Sequence, residues 1–317
     1  MKPLLSVIVV SYNTLDLTLE TLQSVERDIA NSELLKGRCE LIVVDNNSKD
    51  KSVSELHRFA SSSKLSTQVL VNKKNSGYSS ANNQGIAASS APFILLLNSD
   101  TIIQKGALEQ LVSTLQQNKS LGIVAATLLN KDGTLQAQGG HAPSLLTLTI
   151  QQFFLDDIPF LGSFLPSTQH TGLRTTQRLN TKNSELIYQD WVGGTALCVK
   201  RQVFDEVDLL DDAIFMYGED IEFCLRAKKH LWQIAIDPRA RVMHFQSMSS
   251  SSESAIIGEL LGYHYIWAKH MPLWQLPFAT LILELGCLAR VILYSTLKPN
   301  KAKAQTYFSG IKKLIAQ

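Results

Sequence analysis

The sequence lacks several features that mark common classes of protein. Its four cysteines lie far apart in 317 residues and form no Cys-x-x-Cys pair, so there is no support for a disulfide framework or a clustered zinc site. The formal net charge is only +2, which argues against a nucleic-acid partner bound over the whole surface. We therefore expect a protein of the reducing cytoplasm that binds no nucleic acid.

Two glycine-rich phosphate-binding motifs are also absent. The first apolar run is followed by Ser11-Tyr12-Asn13 instead of G-x-G-x-x-G, and no G-x-x-x-x-G-K-[ST] loop occurs in the chain. These absences exclude a dinucleotide-binding motif and a P-loop. No small-residue cleavage site follows the apolar residues 4–10, so this run is expected to be a strand and not a signal peptide.

What the sequence does contain is a regular alternation of apolar runs with amphipathic segments. The apolar runs are residues 6–10, 41–44, 69–71, 93–97 and 123–126. Alternating strands and helices predict an α/β fold with a mostly parallel sheet flanked by helices. Residues 93–97 are apolar without interruption, which is typical of a strand covered on both faces.

Polar side chains follow these runs, and they suit a nucleotide. They are Asn13, Asp45, Asn75 with Gly77, Asn82 and Asp100. Ligands bind beyond the carboxyl ends of strands in open α/β sheets, so these residues are expected to converge on one edge. Asp45 has the chemistry to accept from a base or a ribose hydroxyl, and Gly77 lets backbone approach a ligand. Asp100, expected at a solvent-facing strand end, could hold a divalent ion against a pyrophosphate.

A second interpretation is that these residues only form turns and helix caps. Asn13 or Thr14 could cap the first helix, and residues 98–100 could cap the helix after Gly106. This alternative explains each residue singly, but it explains less well why several successive strands end in the same way.

A second group of candidate residues follows the aromatic residues 215–217. Glu219, Asp220 and Glu222 lie within four positions, and the first two are expected in the first turn of a helix. Adjacent carboxylates repel and raise one pKa, which suits a general base. The alternative is that these acids only complement the helix dipole. A lone histidine is more often structural than a ligand, but the position of His244 one strand after the acidic pair strengthens the case for a ligand role.

Taken in order, these residues resemble the family 2 glycosyltransferases, and within them the bacterial rhamnosyltransferase-like branch. The resemblance covers residues 5–250. It rests on residues 6–13, 43–48, 75–78 with 81–85, 96–100, 191–195, and 215–226 with His244. It implies a GT-A fold and transfer of a sugar from a nucleotide-diphosphate donor with inversion, assisted by a divalent metal, Mg²⁺ or Mn²⁺.

The resemblance also implies roles for single residues. Asp45 looks like the base-binding acid, and Asp100 looks like the metal-binding end of the D-x-D-type motif with His244 near it. Asp220 matches the catalytic base of the Glu-Asp motif that it forms with Glu219. The other implied contacts are Asn13, Asn75, Gly77, Asn82 and Ser99 for the nucleotide-sugar, and Trp191 and Gly193 for the acceptor. Asn98 replaces the first acid of the D-x-D pattern, which leaves one protein carboxylate for the metal.

The donor expected first is dTDP-rhamnose and the second a UDP-hexose. The expected acceptor is a hydroxyl of a lipid-linked or polysaccharide glycan in cell-surface synthesis. Two other classes of protein stay open. One is a nucleotidyltransferase, which would require a glycine-rich basic loop after the first strand, and the other is a non-catalytic sugar-binding module. Asp100 together with the Glu219-Asp220 pair speaks against the second.

The domain organisation is expected to be a catalytic domain over residues 1–250, with nucleotide-binding and acceptor-binding halves at about 1–127 and 128–250. Residues 131–188 are irregular and could form a lid or a binding loop. Residues 251–317 are expected to form a helical extension.

Residues 273–297 of this extension are largely apolar, but Glu284 and Arg290 interrupt them and make spanning a membrane marginal. Five lysines and no acid follow. We expect an amphipathic helix lying peripherally on the anionic inner face of the cell membrane. The alternative is a core or homodimer helix pair.

Overall fold

The computed structural model describes residues 2–158, 160–166, 185–245 and 252–317, and these contain a nine-stranded sheet. The strands are β1 (Leu5–Ser11), β2 (Cys39–Asp45), β3 (Ser66–Val71), β4 (Phe93–Asn98), β5 (Thr101–Ile103), β6 (Leu121–Leu129), β7 (Ile187–Tyr188), β8 (Ala196–Lys200) and β9 (Gln233–His244). The helices are α1 (Leu15–Ala30), α2 (Ser52–Ser62), α3 (Tyr78–Ala88), α4 (Ala107–Gln117), α5 (Leu145–Gln152), α6 (Arg201–Val207), α7 (Glu219–Lys229), α8 (Ser252–His270), α9 (Leu276–Ser295) and α10 (Lys301–Ile315).

The sheet has the order β3-β2-β1-β4-β8-β6-β9-β5, and β7 pairs with β9. The first four strands are parallel, β8 is antiparallel to both of its neighbours, and β6 and β9 are again parallel to each other. Most strands therefore run in one direction, and the exceptions are β5, β7 and β8. The predicted α/β architecture is confirmed.

The strand residues alternate between two cores, one on each face of the sheet. In β4, Leu95 and Leu97 face a core that contains apolar residues of α1, α2 and α4. Ile94 and Leu96 face a second core that contains residues of α3, α6, α7 and the C-terminal helices. Because helices cover both faces of β4, apolar side chains are favoured at every position of its interior, and this explains the unbroken apolar run.

The register of the strands brings their polar ends to one edge. In the β1–β2 pair Ser11 lies opposite Asp45, and in the β1–β4 pair Val10 lies opposite Asn98. The short strand β5 pairs with the far end of β9, so that Thr101 lies opposite His244. The pairing of β5 with β9 places residues from distant parts of the sequence beside the loop that carries Asp100.

Strand β9 contains a bulge near its middle. It continues through Pro238 to His244, since the β6–β9 register shifts between Ala126 and Thr127 and leaves residues 238–240 as a bulge. Proline is tolerated at such a bulge because the ladder hydrogen bond is already lost there.

The C-terminal helices α8, α9 and α10 pack against the sheet and its helices. Tyr263, Ile266 and Trp267 of α8 are buried in the same core as Phe223 of α7, and so are Leu283 of α9 and Leu314 of α10. The expected boundary at residue 250 lies outside the described residues, as does the part of the irregular stretch at 167–184.

Candidate active site

Asp45 closes β2 and is fully buried at the edge where the strands end. Its Oδ1 accepts a hydrogen bond from the backbone N–H of Ser48 at 2.9 Å, while Oδ2 has no partner among the described residues. A buried acceptor left unsatisfied costs about 1–3 kcal/mol. A base or ribose donor at Oδ2 would remove this cost, so Asp45 keeps the acceptor that its expected role requires.

Asn13 lies beside the Asp45 loop, and its side chain is engaged by protein. Its Oδ1 accepts from the backbone N–H of Lys49 at 2.6 Å, and its own N–H donates to Ser48 Oγ. Helix α1, all of it described, has no side-chain cap. Of the two predicted cap residues, Thr14 does occupy the N-cap position, but its hydroxyl bonds to those of Thr18 and Ser99 and makes no side-chain cap, while Lys49 takes the amide oxygen of Asn13.

Asn75 and Gly77 form a turn that is organised by Asn46. The Nδ2 atom of Asn46 donates to Asn75 Oδ1 at 2.9 Å and to the carbonyl oxygen of Gly77 at 3.1 Å. Gly77 has φ +90°, and a Cβ atom there would lie 2.5 Å from the carbonyl oxygen of Phe215. The glycine thus allows the turn to pack directly on the loop that precedes α7.

Asp100 is fully buried, which corrects the expectation that its side chain faces solvent. The reason is that β5 pairs with β9 and covers the loop. Neither carboxylate oxygen of Asp100 accepts a hydrogen bond from the described residues, although His244 Nε2 lies 3.3 Å from Oδ1. A buried charge without compensation is strongly unfavourable, and this points to a ligand.

The capping alternative for residues 98–100 does not hold in the structure. The first turn of α4 is capped by Asp28, whose carboxylate accepts from the backbone N–H groups of Gly106 and Leu108. Asp28 comes from α1, so the sequence around Asp100 gave no sign of this cap. Asp100 therefore does not cap α4, and its carboxylate is available at the edge of the sheet where the strands end.

The residues at Asp100 fit a divalent cation. An unpaired carboxylate and an imidazole nitrogen lie together, and both are ligands that Mn²⁺ accepts. No cluster of three or more His, Cys, Asp or Glu side chains suited to a metal occurs within the described ranges. A cation held here would take its remaining oxygens from substrate phosphates and water, as magnesium commonly does.

Glu219 and Asp220 begin α7, as predicted, but their environments differ. Asp220 is half-buried, and its carboxylate accepts from the backbone N–H of Gly194 at 3.1 Å and of Ile221 at 2.8 Å. Glu219 is buried, and its Oε2 has no partner in the described part of the chain. Backbone donors favour the ionised form of a carboxyl, and only Asp220 has them on both oxygens.

Burial raises the pKa of Glu219 to about 8, and the neighbouring charge of Asp220 adds to this effect. Burial also raises the pKa of Asp220, whereas its hydrogen bonds from Ile221 and Gly194 oppose the rise. Burial thus favours the protonated form of both carboxyls, while the backbone donors on both oxygens of Asp220 stabilise its ionised form more than that of Glu219. A role limited to complementing the helix dipole would lower both pKa values, so the dipole alternative does not account for this pair.

Glu222, the third acid of the group, points away from this pair. It is fully buried and forms ion pairs with Arg226 at 2.7 Å, His270 at 2.8 Å and Lys269 at 2.9 Å. Burial alone would raise the pKa of Glu222, but the hydrogen bonds from His270, Arg226 and Lys269 outweigh it and lower the pKa to about 2. The ion pairs of Glu222 thus stabilise the packing of α7 on α8.

A cavity of about 260 Å³ opens beside the acidic pair. Its lining includes Trp191 and Asp220, and α8 contributes Glu259 and Tyr263. Gly193 lies against Asp220, since a Cβ atom there would be 4.0 Å from Oδ2. The structure therefore brings the two expected acceptor residues next to the expected base.

Asn82 and Ser99 are both buried. Asn82 Nδ2 donates to the carbonyl oxygen of Tyr78 at 3.0 Å, and its Oδ1 lacks a described partner. Ser99 Oγ lies 3.2 Å from Thr14 Oγ1, within a group of buried hydroxyls. Asn82 thus keeps an acceptor available to a ligand, while Ser99 is engaged with α1.

Two residues that organise this site were not among the candidates predicted from the sequence. The Tyr78 hydroxyl donates to Asn98 Oδ1 at 3.0 Å and lies 3.2 Å from the carbonyl oxygen of Gly194. Gln136 holds the ring and the backbone of His244. Tyr78 belongs to the motif at residues 75–78, but the sequence does not show that its hydroxyl connects two loops. Gln136 lies in the irregular stretch at residues 131–188, where no motif occurs.

With this geometry in place, comparison with known proteins defines the class. The sequence model of glycosyl transferase family 2 matches residues 6–174, so the chain belongs to this family. The low-salt glycan biosynthesis hexosyltransferase Agl10 of Haloferax volcanii is 28% identical over 231 residues, which are 71% of this chain but only 62% of that protein. The N-acetylglucosaminyl-diphospho-decaprenol L-rhamnosyltransferase of Mycobacterium tuberculosis is 24% identical over 304 residues, 90% of this chain and 94% of that protein.

Solved structures confirm the GT-A fold. GalNAc-T7 with UDP, GalNAc and Mn²⁺ matches with a TM-score of 0.60 and 13% identity, covering 100% of this chain and 56% of that one. The mannosyltransferase PcManGT from Pyrobaculum calidifontis, in complex with GDP-Man and Mn²⁺, matches with a TM-score of 0.56 and 16% identity, covering 100% and 86%.

Proposed function

We propose that this glycosyltransferase inverts the anomeric centre as it transfers rhamnose from dTDP-rhamnose to a hydroxyl of a lipid-linked glycan. The observation that carries the proposal is the difference in environment between the neighbouring acids Glu219 and Asp220. Asp220 accepts backbone hydrogen bonds that favour its ionised form, in a cavity lined by Trp191, next to Glu219, whose pKa burial raises to about 8. A carboxylate in that state is what a general base requires.

The proposed chemical step is a single displacement. The acceptor hydroxyl lies in the cavity, and Asp220 accepts its proton as the hydroxyl oxygen attacks the anomeric carbon from the face opposite the leaving diphosphate. Attack from that face inverts the centre. Glu219, being protonated, adds no second negative charge beside the oxygen that loses its proton.

Asp45, Asn82 and Asp100 present acceptor oxygens at the donor edge. Asp45 Oδ2 would accept from the base or the ribose, and Asn82 Oδ1 from a sugar hydroxyl. Asp100 and His244 would hold a divalent cation, Mg²⁺ or Mn²⁺, which when bound acts as a Lewis acid for the departing diphosphate. The Mn²⁺ in two solved structures of the same fold supports this assignment.

The choice of donor rests on the mycobacterial relative, whose name states an L-rhamnosyltransferase. A UDP-hexose is the alternative, favoured by the haloarchaeal relative named a hexosyltransferase. The test is to incubate the purified full chain with labelled dTDP-rhamnose, UDP-glucose and UDP-GlcNAc, with a synthetic polyprenyl-diphosphate-linked GlcNAc as acceptor, and to assign the product anomer by NMR. Rhamnose transfer with inversion supports the proposal, whereas retention of configuration contradicts it.

We also propose that α9 rests on the cytoplasmic face of an anionic membrane and brings the cavity to this acceptor. Among the described residues, one helical stretch, Leu273–Ser295, is apolar and long enough to cross a bilayer, as core helices of soluble proteins also are. Its inner face packs on the protein, with Leu283 and Cys287 fully buried. Its outer face exposes Phe278, Leu281, Leu285, Leu288 and Ile292, each 43–56% accessible.

Arg290 does not oppose this surface, although in the sequence it counted against a helix that spans the membrane. Its guanidinium donates to the carbonyl oxygen of Gln152 at 2.8 Å and lies over the rings of Phe154 and Tyr307. The charge is thus turned toward α5 and α10. A helix fixed to its domain along one face and apolar on the other suits a peripheral position better than a spanning one.

The charge of the C-terminal segment favours an anionic surface over a second copy of the chain. Lysines follow α9 at Lys298, Lys301, Lys303, Lys312 and Lys313, with no acidic residue after Glu284. Each lysine near an anionic surface contributes about 1 kcal/mol, so these five supply on the order of 5 kcal/mol. In a homodimer through the same face, these like charges would be brought together.

The membrane test uses sedimentation of the full chain with vesicles of phosphatidylglycerol or phosphatidylcholine. We expect binding to the anionic vesicles, release by high salt, and loss of binding when Phe278, Leu285 and Ile292 are changed to Gln. Leu231→Gln is the control, because Leu231 is exposed elsewhere. A chain that stays in the supernatant and is a dimer by light scattering would support the dimer alternative instead.

A further inference from the structure

Gln136 is a buried residue, 3% accessible, that contacts His244 with both ends of its side chain. Its Nε2 donates to the carbonyl oxygen of His244 at 2.6 Å and to that of Leu129 at 3.2 Å. Its Oε1 lies 3.0 Å from His244 Nδ1. The Gln136 backbone is fixed as well, since its N–H donates to the carbonyl oxygen of Leu128 at 2.9 Å.

These contacts fix which way the Gln136 amide faces. A flipped amide would place Oε1 against two carbonyl oxygens, which are acceptors only. The NH₂ group therefore faces Leu129 and His244, and Oε1 faces the ring. Because Oε1 can only accept, His244 Nδ1 must carry the hydrogen of this bond.

The position of this hydrogen decides what His244 presents to Asp100. A neutral imidazole carries one N–H, so a ring protonated at Nδ1 has a lone pair at Nε2. That nitrogen lies 3.3 Å from Oδ1 of Asp100, whose oxygens accept no hydrogen bond from the described residues. In the neutral ring two lone-pair atoms thus face each other at a buried place, which is unfavourable unless a cation or a second ring proton lies between them.

We propose that Gln136 is a positioning residue that holds His244 in the Nδ1–H tautomer, so that Nε2 and Asp100 face a divalent cation together as ligands. This inference rests on the metal role proposed above. Without Gln136, the ring would gain a hydrogen bond by protonating Nε2 and donating it to Asp100. Such a bond would give the Asp100 carboxylate a hydrogen-bond partner within the protein, and His244 would then compete with the cation for this carboxylate.

The first test reads the tautomer directly and needs no metal. The full chain is labelled with ¹⁵N-histidine, and long-range ¹H–¹⁵N spectra are recorded in EDTA at pH 8.5, where free imidazole is neutral. His244→Gln assigns the resonances. We expect an unprotonated Nε2 in the wild type and a protonated Nε2 in Gln136→Met. A wild-type ring protonated at Nε2, or an unchanged tautomer in Gln136→Met, would overturn the proposal.

Two further variants separate the tautomer from general packing. Gln136→Glu keeps an acceptor opposite Nδ1 but sets its second oxygen against two carbonyl oxygens, so it should keep the tautomer while lowering the melting temperature. Gln138→Met is the matched control, because Gln138 is also buried and donates to the carbonyl oxygen of Ala126 without a recorded bond to His244. It should keep the wild-type tautomer, and a change there would count against a specific role for Gln136.

The second test measures Mn²⁺ affinity by EPR of the free ion, with and without dTDP. Gln136→Met should weaken binding about 10–100-fold, the usual effect of losing a partner that orients a ligand, and Gln138→Met should not. Equal affinity in wild type and Gln136→Met would contradict the proposal. If the wild type binds no Mn²⁺, the proposed metal role is wrong, while the spectra decide the tautomer independently.

Discussion

The backbone N–H of Gly194 donates a hydrogen bond to Oδ2 of Asp220 at 3.1 Å. The carbonyl oxygen of the same glycine lies 3.2 Å from the Tyr78 hydroxyl, which also donates to Asn98 Oδ1 at 3.0 Å. Tyr78 thus connects the loop that carries Asp100 with the residue that orients Asp220. One hydroxyl group thus contacts both the part of the site expected to bind the sugar donor and the part that positions the base.

Tyr78→Phe should lower the maximal transfer rate about tenfold, which corresponds to about 1.4 kcal/mol in the barrier. The variant keeps the ring but leaves Asn98 and Gly194 without their hydroxyl partner, so Gly194 is less restrained and Asp220 is less well placed. The measurement is kcat with both substrates saturating. Tyr188→Phe, at an exposed tyrosine, is the control, and an unchanged kcat in Tyr78→Phe would show that the bridge has no part in catalysis.

Asp100→Asn should abolish transfer without lowering the melting temperature in EDTA. The physical reason is that a fully buried carboxylate without a hydrogen-bond partner among the described residues is replaced by a neutral group of the same shape. Added Mn²⁺ should raise the melting temperature of the wild type and leave the variant unchanged. Retained transfer, or a variant that melts well below the wild type in EDTA, would contradict the metal assignment.

Glu222→Gln should destabilise the protein in a pH-dependent way. The pKa of Glu222 falls from the ordinary 4.5 to about 2 on folding, and such a depressed carboxyl contributes about 3 kcal/mol above pH 4.5. The contribution is lost as pH falls from about 4.5 to about 2. Urea unfolding should therefore separate variant and wild type at pH 7 and bring them together near pH 2. Glu55→Gln, which breaks an exposed pair with Arg58, should change the unfolding free energy by less than about 0.5 kcal/mol.

A constant difference between Glu222→Gln and wild type across this pH range would mean that packing, and not the ion pairs with α8, is what the side chain supplies.

The strands could be predicted because their signal is local. Residues 93–97 are apolar on both faces, and the structure forms β4 at Phe93–Asn98 for that reason. The convergence of Asp45 and Asp100 on one sheet edge followed from the parallel arrangement of β1, β2 and β4. Local patterns and general rules of α/β sheets were sufficient for this part of the site.

What could not be predicted depends on contacts between distant parts of the chain. Asp100 is buried because β5 pairs with β9, and Glu222 is structural because Lys269 and His270 approach it from α8. Three acids in one helical turn look alike in a sequence. Only the packing of α8 on α7 separates Glu222 from the pair that lines the cavity.

The proposed mechanism assigns the general base to Asp220 and leaves Glu219 as its neighbour with a raised pKa. The most direct measurement is the single-turnover transfer rate of Asp220→Asn and Glu219→Gln at pH 7.5, with donor binding followed by calorimetry. Asp220→Asn should bind donor normally and transfer roughly 10²-fold more slowly or worse, the scale of losing a general base. Glu219→Gln replaces a carboxyl whose pKa burial raises to about 8, so it removes little charge and should lose far less. A severe loss in Glu219→Gln with nearly full activity in Asp220→Asn would contradict the assignment.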